Sequence, residues 1–109
     1  MKIFITGTAG FIGFHLANLL LKEGFQVSGY DGLTSYYDVN LKKKRNDILF
    51  QNSKYIFTCG MLEDEKKIEK IFFEFKPDVV IHLAAQAGVR YSLENPRSYL
   101  DSNIIGTFN

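Results

Sequence analysis

The sequence is poor in cysteine, since Cys59 is the single one among 109 residues. A lone thiol excludes an internal disulfide and lacks the partners of a metal cluster, so the sequence predicts no metal site. This usage is typical of a reducing compartment. We expect the Cys59 side chain to be a buried, inert thiol.

An excess of one charge and long apolar runs are also missing. With 13 Lys and Arg residues against 12 Asp and Glu, the formal net charge is +1. This balance argues against nucleic-acid binding driven by net charge. The apolar stretches at residues 11–21 and 79–85 are too short or too interrupted to span a bilayer, and the chain opens with a strand-like run. We therefore expect a soluble cytoplasmic protein with no nucleic-acid or membrane partner.

Apolar residues are present in sufficient number for a core, because 46% of the sequence is hydrophobic. Hydrophobic periodicity predicts strands at residues 2–6, 25–31, 54–59 and 78–85. It predicts helices at residues 11–23 and 38–50, a third with Ile68, Ile71, Phe72 and Phe75 on one face, and a last one from Asn95-Pro96 onward. The fourth strand is almost continuously apolar, as expected where helices cover both faces of a strand.

This alternation of strands and helices predicts an α/β fold, in which a parallel sheet has helices on both faces. The chain supplies four of the six strands of a dinucleotide-binding domain. We therefore expect an incomplete Rossmann-type sheet of order 3-2-1-4, with residues 1–109 forming the N-terminal part of one domain and no second domain. The outer edge of the fourth strand should be unpaired, and the helix that follows it should be poorly covered.

A glycine-rich loop, Gly7-Thr-Ala-Gly10-Phe-Ile-Gly13, separates the first strand from the first helix. Gly7 would allow a sharp turn, Gly10 a close approach to a pyrophosphate, and Gly13 tight packing of the helix on the sheet. Phe11 and Ile12 open the helix, whose first N–H groups would face the phosphates. The spacing alone is weak evidence, and the strand-turn-helix context strengthens it.

Asp31 ends the second predicted strand, 18 positions after Gly13. An acidic residue at about this distance, roughly 20 positions, binds the adenosine ribose hydroxyls and repels a 2′-phosphate. No Arg or Lys follows immediately, so the sequence predicts NAD rather than NADP as the cofactor. The alternative is that Asp31 only begins a turn with Gly32.

Other polar and small residues near these motifs have plainer interpretations. Ala84 and Ala85, after the fourth strand, would leave room for the nicotinamide half of a dinucleotide or would only serve helix packing. His82 and His15 are each predicted to be structural.

A basic run at residues 42–45 lies in the second predicted helix. It could mark a phosphate or RNA patch, but the balanced chain supplies no larger positive surface around it. We interpret it as a solvated helix face, with Tyr37, Leu41 and Ile48 on the apolar side.

Several segments together resemble the extended short-chain dehydrogenase/reductase family, which includes NAD-dependent epimerases and dehydratases. They are Thr6-Gly-Thr-Ala-Gly-Phe-Ile-Gly13, Asp31, Tyr36-Tyr-Asp38, His82-Leu-Ala-Ala85 and Gln86-Ala-Gly-Val-Arg-Tyr-Ser92. The Tyr-Tyr-Asp motif, residues 85–92 and Glu94-Asn-Pro96 are similar to the UDP-glucuronate 4-epimerase branch in particular. The resemblance implies a reversible reaction in which NAD⁺ takes a hydride from C4 of a UDP-sugar while a tyrosinate removes the C4 hydroxyl proton.

The resemblance also implies roles for individual residues. The cofactor-binding residues that it implies are Gly7, Gly10, Phe11, Ile12, Gly13, Asp31, Leu83, Ala84, Ala85 and Asn103. Asn103 would order the active site, and Arg90 and Ser92 would lie near the substrate. Arg90 could pair with a carboxylate or diphosphate, or could be a surface residue that anchors its own loop. The implied partners of the complete enzyme are a nucleotide-sugar substrate and a second copy, as a homodimer.

The sequence departs from the family pattern in two places. An Asp usually follows the glycine that ends the third strand and accepts from the adenine amino group, whereas Met61 follows Gly60 here. Glu63 or Asp64 could substitute, or could simply be the acidic first turn of the next helix. The catalytic Tyr-x-x-x-Lys pair is absent, since the residues four positions after the six tyrosines are Thr34, Asn40, Leu41, Cys59, Asn95 and Asn103.

Three functions therefore remain open. The first is the NAD-binding N-terminal portion of a nucleotide-sugar 4-epimerase, truncated before the catalytic pair and inactive alone. The second is a non-catalytic nucleotide-binding or interaction module. The third is a fragment of a nucleotide-sugar dehydratase.

Overall fold

The computed structural model describes residues 1–33, 38–86 and 89–109, with only the backbone at residues 89–91. Its four strands run parallel in one sheet of order β3-β2-β1-β4. They are β1 Lys2–Thr6, β2 Gln26–Asp31, β3 Tyr55–Cys59 and β4 Val79–His82. The predicted α/β fold and strand order are confirmed. The bounds agree within one residue, except that β4 ends at His82 rather than at residue 85.

The helices alternate with these strands and then follow one another after β4. They are α1 Phe11–Lys22, α2 Val39–Leu49, α3 Glu65–Phe75, α4 Val89–Glu94, α5 Pro96–Tyr99, a π-helical stretch Leu100–Ile105 and α6 Gly106–Phe108. Asn95 caps α5 as predicted, because its side chain accepts from the Ser98 N–H group. The sequence pattern predicts neither α4 nor the π-helical stretch. Within the described part of the chain, no helix has the length and apolar character needed to cross a membrane.

The core lies on both faces of β1, because successive side chains of a strand point to opposite faces. On one face, Ile3 and Ile5 pack with buried residues of α1, β2 and α2. On the other face, Phe4 packs with Tyr30 and with Ile68 and Ile71 of α3. The two covered faces hold β1 and β2 rigidly, which fixes the positions of the loops at their carboxyl ends.

β4 is less covered than its apolar composition predicts. Val79 is 39% exposed and Val80 is 47% exposed. β4 lies at one edge of the described sheet and pairs with β1 alone. Its outer edge is thus unpaired within the described sheet, as expected, and the helical residues 96–105 after it include no buried residue. The expectation that helices cover both faces of this strand is wrong.

The buried face of α2 differs from the prediction. Leu41 and Ile48 are 45% and 46% exposed, whereas Lys42, Asn46 and Leu49 are buried. The reason is a polar contact, because Tyr55 donates its hydroxyl hydrogen to Asn46 Oδ1 at 2.9 Å. This bond places the side of α2 that carries Asn46 against the sheet. Tyr37 lies outside the described residues.

Cys59 is exposed, so the prediction of a buried thiol is wrong. It is the last residue of β3, which lies at the other edge of the described sheet. An edge position at a strand end leaves a side chain without a covering layer.

Candidate dinucleotide site

The glycine loop turns sharply from β1 into α1. Gly7 has a backbone φ of +84°, which residues with a side chain rarely adopt. Its N–H group donates to the Tyr30 carbonyl at 2.7 Å. A Cβ on Gly7 would lie 2.9 Å from the Ala84 nitrogen. A Cβ on Gly13 would overlap the Gly7 carbonyl oxygen and lie 2.7 Å from its carbon. Gly13 therefore lets the first turn of α1 lie tightly against the loop that follows β1, while Ala17 and Leu21 of the same helix pack on the sheet.

The amino end of α1 offers backbone donors to a ligand. Gly10 is the N-cap residue in an extended conformation, and no side chain caps the helix. The Phe11 and Ile12 side chains are exposed and point away from the core. Uncapped N–H groups at a helix start, together with the helix dipole, favour an anion such as a phosphate.

The Asp31 carboxylate faces this loop. Its Oδ2 accepts from the Ala9 N–H group at 3.1 Å, and its Oδ1 accepts from the Leu33 N–H group at 2.8 Å. Asp31 thus holds the turn that follows it, as the alternative interpretation predicts, and also contacts the glycine loop, whereas its binding of a ribose stays a prediction. Each oxygen keeps a further lone pair that could accept from a hydroxyl.

Thr6 ties the carboxyl ends of β1 and β4 together. Its hydroxyl oxygen accepts from the N–H groups of Leu83 at 3.0 Å and Ala84 at 3.1 Å. It must therefore donate its hydrogen to His82 Nδ1, at 2.6 Å. His82 Nε2 then carries a hydrogen and donates to Thr107 Oγ1, at 2.9 Å. His82 is structural, as predicted, and these contacts end β4 early.

Asn103 fixes the chain beyond Ala85. Its Oδ1 accepts from the Gln86 N–H group at 2.8 Å, and its Nδ2 donates to the Gln86 carbonyl at 3.1 Å. Asn103 lies in the π-helical stretch, a form of helix often found at functional sites. The Asn103 side-chain amide thus makes the two backbone hydrogen bonds that a neighbouring strand would otherwise make with Gln86.

A cleft opens at the carboxyl edge of the sheet, where ligands bind in open α/β folds. Its walls come from β2, the segment after β3, the segment after β4 and the π-helical stretch. The lining residues are Tyr30, Asp31, Gly32, Gly60, Met61, Leu62, Ala84, Ala85, Gln86 and Ser102. The structure therefore brings Asp31, Ala84 and Ala85 together. It does not place Leu83 or Ser92 in the wall of this cleft, and the side chain of Arg90 lies outside the described residues.

The segment after β3 forms the wall beyond Asp31. Tyr30 donates its hydroxyl hydrogen to the Met61 carbonyl at 2.6 Å. Burial, with a contribution from the Asp64 carboxylate, raises the pKa of Tyr30 to about 12. Asp64 caps α3 by accepting from the Lys67 N–H group. Among the described residues, Glu63 Oε1 is buried and has no hydrogen-bond partner.

The basic run of α2 is not a wholly solvated face. Lys42 is only 8% exposed, and Arg45 Nη1 donates to the Ala9 carbonyl at 3.0 Å. The interpretation as a solvated face is therefore wrong for these two residues, whereas Lys43 and Lys44 are exposed as predicted. Contacts of Thr6 and Arg45 with distant backbone leave no local pattern in a sequence, so the sequence gives no signal for them.

The chain is similar in sequence and fold to several nucleotide-sugar epimerases. The chain is 52% identical over 109 residues to a probable UDP-glucuronate 4-epimerase of Rhizobium meliloti, covering 100% of this chain and 32% of that protein. It superposes with a TM-score of 0.88 and 37% identity on Bacillus cereus UDP-glucuronic acid 4-epimerase in complex with UDP-glucuronic acid and NAD, covering 98% of this chain and 34% of that one.

A second solved structure gives the same result for the fold. Thermotoga maritima UDP-glucose 4-epimerase, crystallised with UDP-glucose, matches with a TM-score of 0.81 and 37% identity, over 99% of this chain and 32% of that one. The chain thus spans about a third of the length of the curated relatives it matches. A sequence model of the GDP-mannose 4,6 dehydratase family matches residues 4–109. The resemblance inferred from the motifs is confirmed, and the chain belongs to this family of nucleotide-sugar epimerases and dehydratases.

Proposed function

We propose that the chain is the NAD-binding portion of a nucleotide-sugar 4-epimerase that acts on a UDP-glucuronate-like substrate. The observation that carries the proposal is the meeting of Asp31 with the glycine loop, at the mouth of an uncapped helix. Gly13 lets the first turn of α1 lie directly against the backbone of Gly7 and Thr8, so the uncapped N–H groups of the helix start at the loop, where they would bind a diphosphate. The likeness to UDP-glucuronate 4-epimerases supports the sugar class.

Different residues of the chain would bind different parts of NAD. The first N–H groups of α1 would hold the diphosphate, and Asp31 would accept from the adenosine ribose hydroxyls. Ala84 and Ala85 leave space in the wall for the nicotinamide half. When bound, NAD supplies the hydride acceptor at C4 of the sugar. Asn103 and Thr6 act indirectly, because they fix the backbone of Gln86 and Ala84.

We propose further that Glu63 accepts from the adenine amino group in place of the acid that Met61 lacks. A buried carboxylate oxygen without a hydrogen bond is costly, and Glu63 follows Met61 and Leu62 of the cleft wall, so a turn of its side chain toward the cleft would let the adenine amino group satisfy this oxygen. Asp64 is already engaged as the cap of α3, which leaves Glu63 as the better candidate. Glu63→Met removes the acceptor and keeps the length of the side chain, so it should weaken NAD more than nicotinamide mononucleotide, which lacks adenine. Equal effects on both ligands would remove Glu63 from the site.

Catalysis requires residues that this chain does not contain. None of its six tyrosines has a lysine four positions on, so we expect the chain alone to turn over no substrate. We also expect it to bind the cofactor weakly, because its sheet has four of the six strands of a dinucleotide-binding domain. The positions of Arg90 and Ser92 near the substrate, cytoplasmic localisation and a homodimeric complete enzyme stay predictions. A Tyr-x-x-x-Lys motif encoded after Asn109 would support the epimerase proposal, and a natural end there would favour a non-catalytic binding module.

Calorimetric titration of the chain with NAD and with NADP tests the proposal directly. We expect weak but measurable binding of NAD and weaker binding of NADP, since Asp31 repels a 2′-phosphate. The match to a dehydratase family keeps a dehydratase as the second candidate, because both enzyme types would bind the dinucleotide here. Absence of NAD binding at millimolar concentration would contradict both.

A further inference from the structure

Two charged side chains, Asp31 and Arg45, bind the backbone N–H and the backbone carbonyl of one residue in the glycine loop, Ala9. The fully buried Ala9 donates its N–H to Asp31 Oδ2 at 3.1 Å. Its carbonyl accepts from Arg45 Nη1 at 3.0 Å. Asp31 comes from the end of β2 and Arg45 from the middle of α2. The orientation of the loop backbone is thus set from two separate elements, by hydrogen bonds in which one partner is ionised and which are stronger than neutral ones.

Arg45 can impose an orientation because α2 is itself fixed against the loop. Tyr55 donates to Asn46 Oδ1 at 2.9 Å, and its hydroxyl oxygen lies 3.1 Å from Thr8 Oγ1. Asn46, Tyr55 and Thr8 are all buried. A buried, satisfied polar chain of this kind specifies one arrangement, since a shift would leave its members unpaired. α2 is therefore linked to Thr8 through Tyr55 of β3, and to Ala9 directly through Arg45.

We propose that Arg45 is a positioning residue of the dinucleotide site. It turns the Ala9 carbonyl toward α2, so that the Ala9 N–H group meets Asp31 and the N–H groups of α1 face the diphosphate together. This inference rests on the proposed function for its ligand, but the orientation of Ala9 is a property of the free protein. The guanidinium acts through the loop backbone and does not itself contact NAD.

The test compares two variants with a matched control on the same helix. Arg45→Met keeps the apolar stem and removes the donor, Arg45→Lys keeps one donor and the charge, and Lys44→Ala changes an exposed neighbour. The first readout is amide hydrogen exchange of Ala9 in the free protein, followed by NMR. The second is NAD affinity by calorimetry, at low and at high salt.

We expect Arg45→Met to speed the exchange of the Ala9 amide and to weaken NAD, each by about tenfold, which is the loss of one charge-assisted hydrogen bond. Arg45→Lys should recover part of both effects, and Lys44→Ala should change neither. The NAD loss should persist at high salt, because positioning does not depend on screened charge.

Other results would overturn the inference. Unchanged Ala9 exchange in Arg45→Met would do so, and so would a loss of NAD affinity that disappears at high salt, which would indicate direct attraction of the phosphates. Loss of the fold in both variants would make Arg45 a general stabilising residue instead. If the unaltered chain binds no NAD, the proposed function fails, while the exchange measurement still decides the role of Arg45.

Discussion

Replacing Thr6 by Val tests whether one hydroxyl joins the two strand ends beside the cleft. Valine has nearly the same shape, so the buried packing around residue 6 is retained. The hydroxyl accepts from Leu83 and Ala84 and donates to His82. The Leu83 N–H group keeps a bond to the Thr6 carbonyl at 3.2 Å, whereas the Ala84 N–H group loses the acceptor described for it.

The magnitude follows from these contacts. An unsatisfied N–H group that is partly buried costs about 1–3 kcal/mol, and the lost bond to His82 adds about 0.5–1.5 kcal/mol. We therefore expect Thr6→Val to lower the free energy of unfolding by about 2–4 kcal/mol, a large fraction of the stability of a small domain. Thr6→Ser keeps the hydroxyl and loses one methyl group, which costs about 1 kcal/mol.

Urea unfolding followed by circular dichroism gives both values, with the unaltered chain as reference. Because Ala84 lines the cleft, NAD affinity should fall in the Val variant more than in the Ser variant. Equal stability of Thr6→Val and the unaltered protein, within about 0.5 kcal/mol, would refute the reasoning, since it would show that water replaces the hydroxyl at no cost.

Two further predictions concern the loop and the cleft wall. Gly13→Ala should lower the free energy of unfolding in a urea titration by about 1–3 kcal/mol, because the added Cβ would meet the backbone of Gly7. Gly10→Ala should cost less, because its Cβ would lie 3.2 Å from the nearest atom. Equal losses in the two variants would contradict this packing. Burial raises the pKa of Tyr30 to about 12, above its ordinary value of 10.0, so the folded state retains this proton longer. Its stabilising contribution is complete below pH 10 and is lost as the pH rises toward 12. Tyr30→Phe should flatten the decline of stability over that pH interval, and an unchanged decline would assign it to other groups.

The parts of the fold that sequence reasoning predicts are those with a local pattern. The glycine loop, Asp31 and the capped helix at Asn95 each have a short signature. The alternation of elements predicts a parallel sheet, and the glycine loop followed by Asp31 favours the strand order of a dinucleotide-binding domain. The predicted end of β4, at residue 85, is wrong because the Thr6 hydroxyl accepts from the N–H groups of Leu83 and Ala84, the next two residues after His82. Thr6 and Ala84 are 78 residues apart, so no local pattern shows this contact.

Side-chain contacts between distant segments account for the rest. Arg45 and Ala9 are 36 residues apart, and nothing near Arg45 distinguishes it from the exposed lysines beside it. Asn46 is buried because Tyr55 supplies a hydrogen bond, although composition alone predicts an exposed polar residue. Cys59 is exposed because it is the last residue of an edge strand, and the sequence around it does not show that β3 lies at an edge.

The central claim is that Asp31 and the amino end of α1 together bind the adenosine half of NAD. Calorimetric titration of Asp31→Ala with NAD and NADP tests it most directly, with Asp47→Ala on the exposed side of α2 as the control. We predict that Asp31→Ala weakens NAD by about tenfold or more and weakens NADP less, because the carboxylate favours free ribose hydroxyls and repels a 2′-phosphate, whereas its hold on the glycine loop serves both cofactors. An unaltered preference for NAD over NADP in this variant would contradict the account.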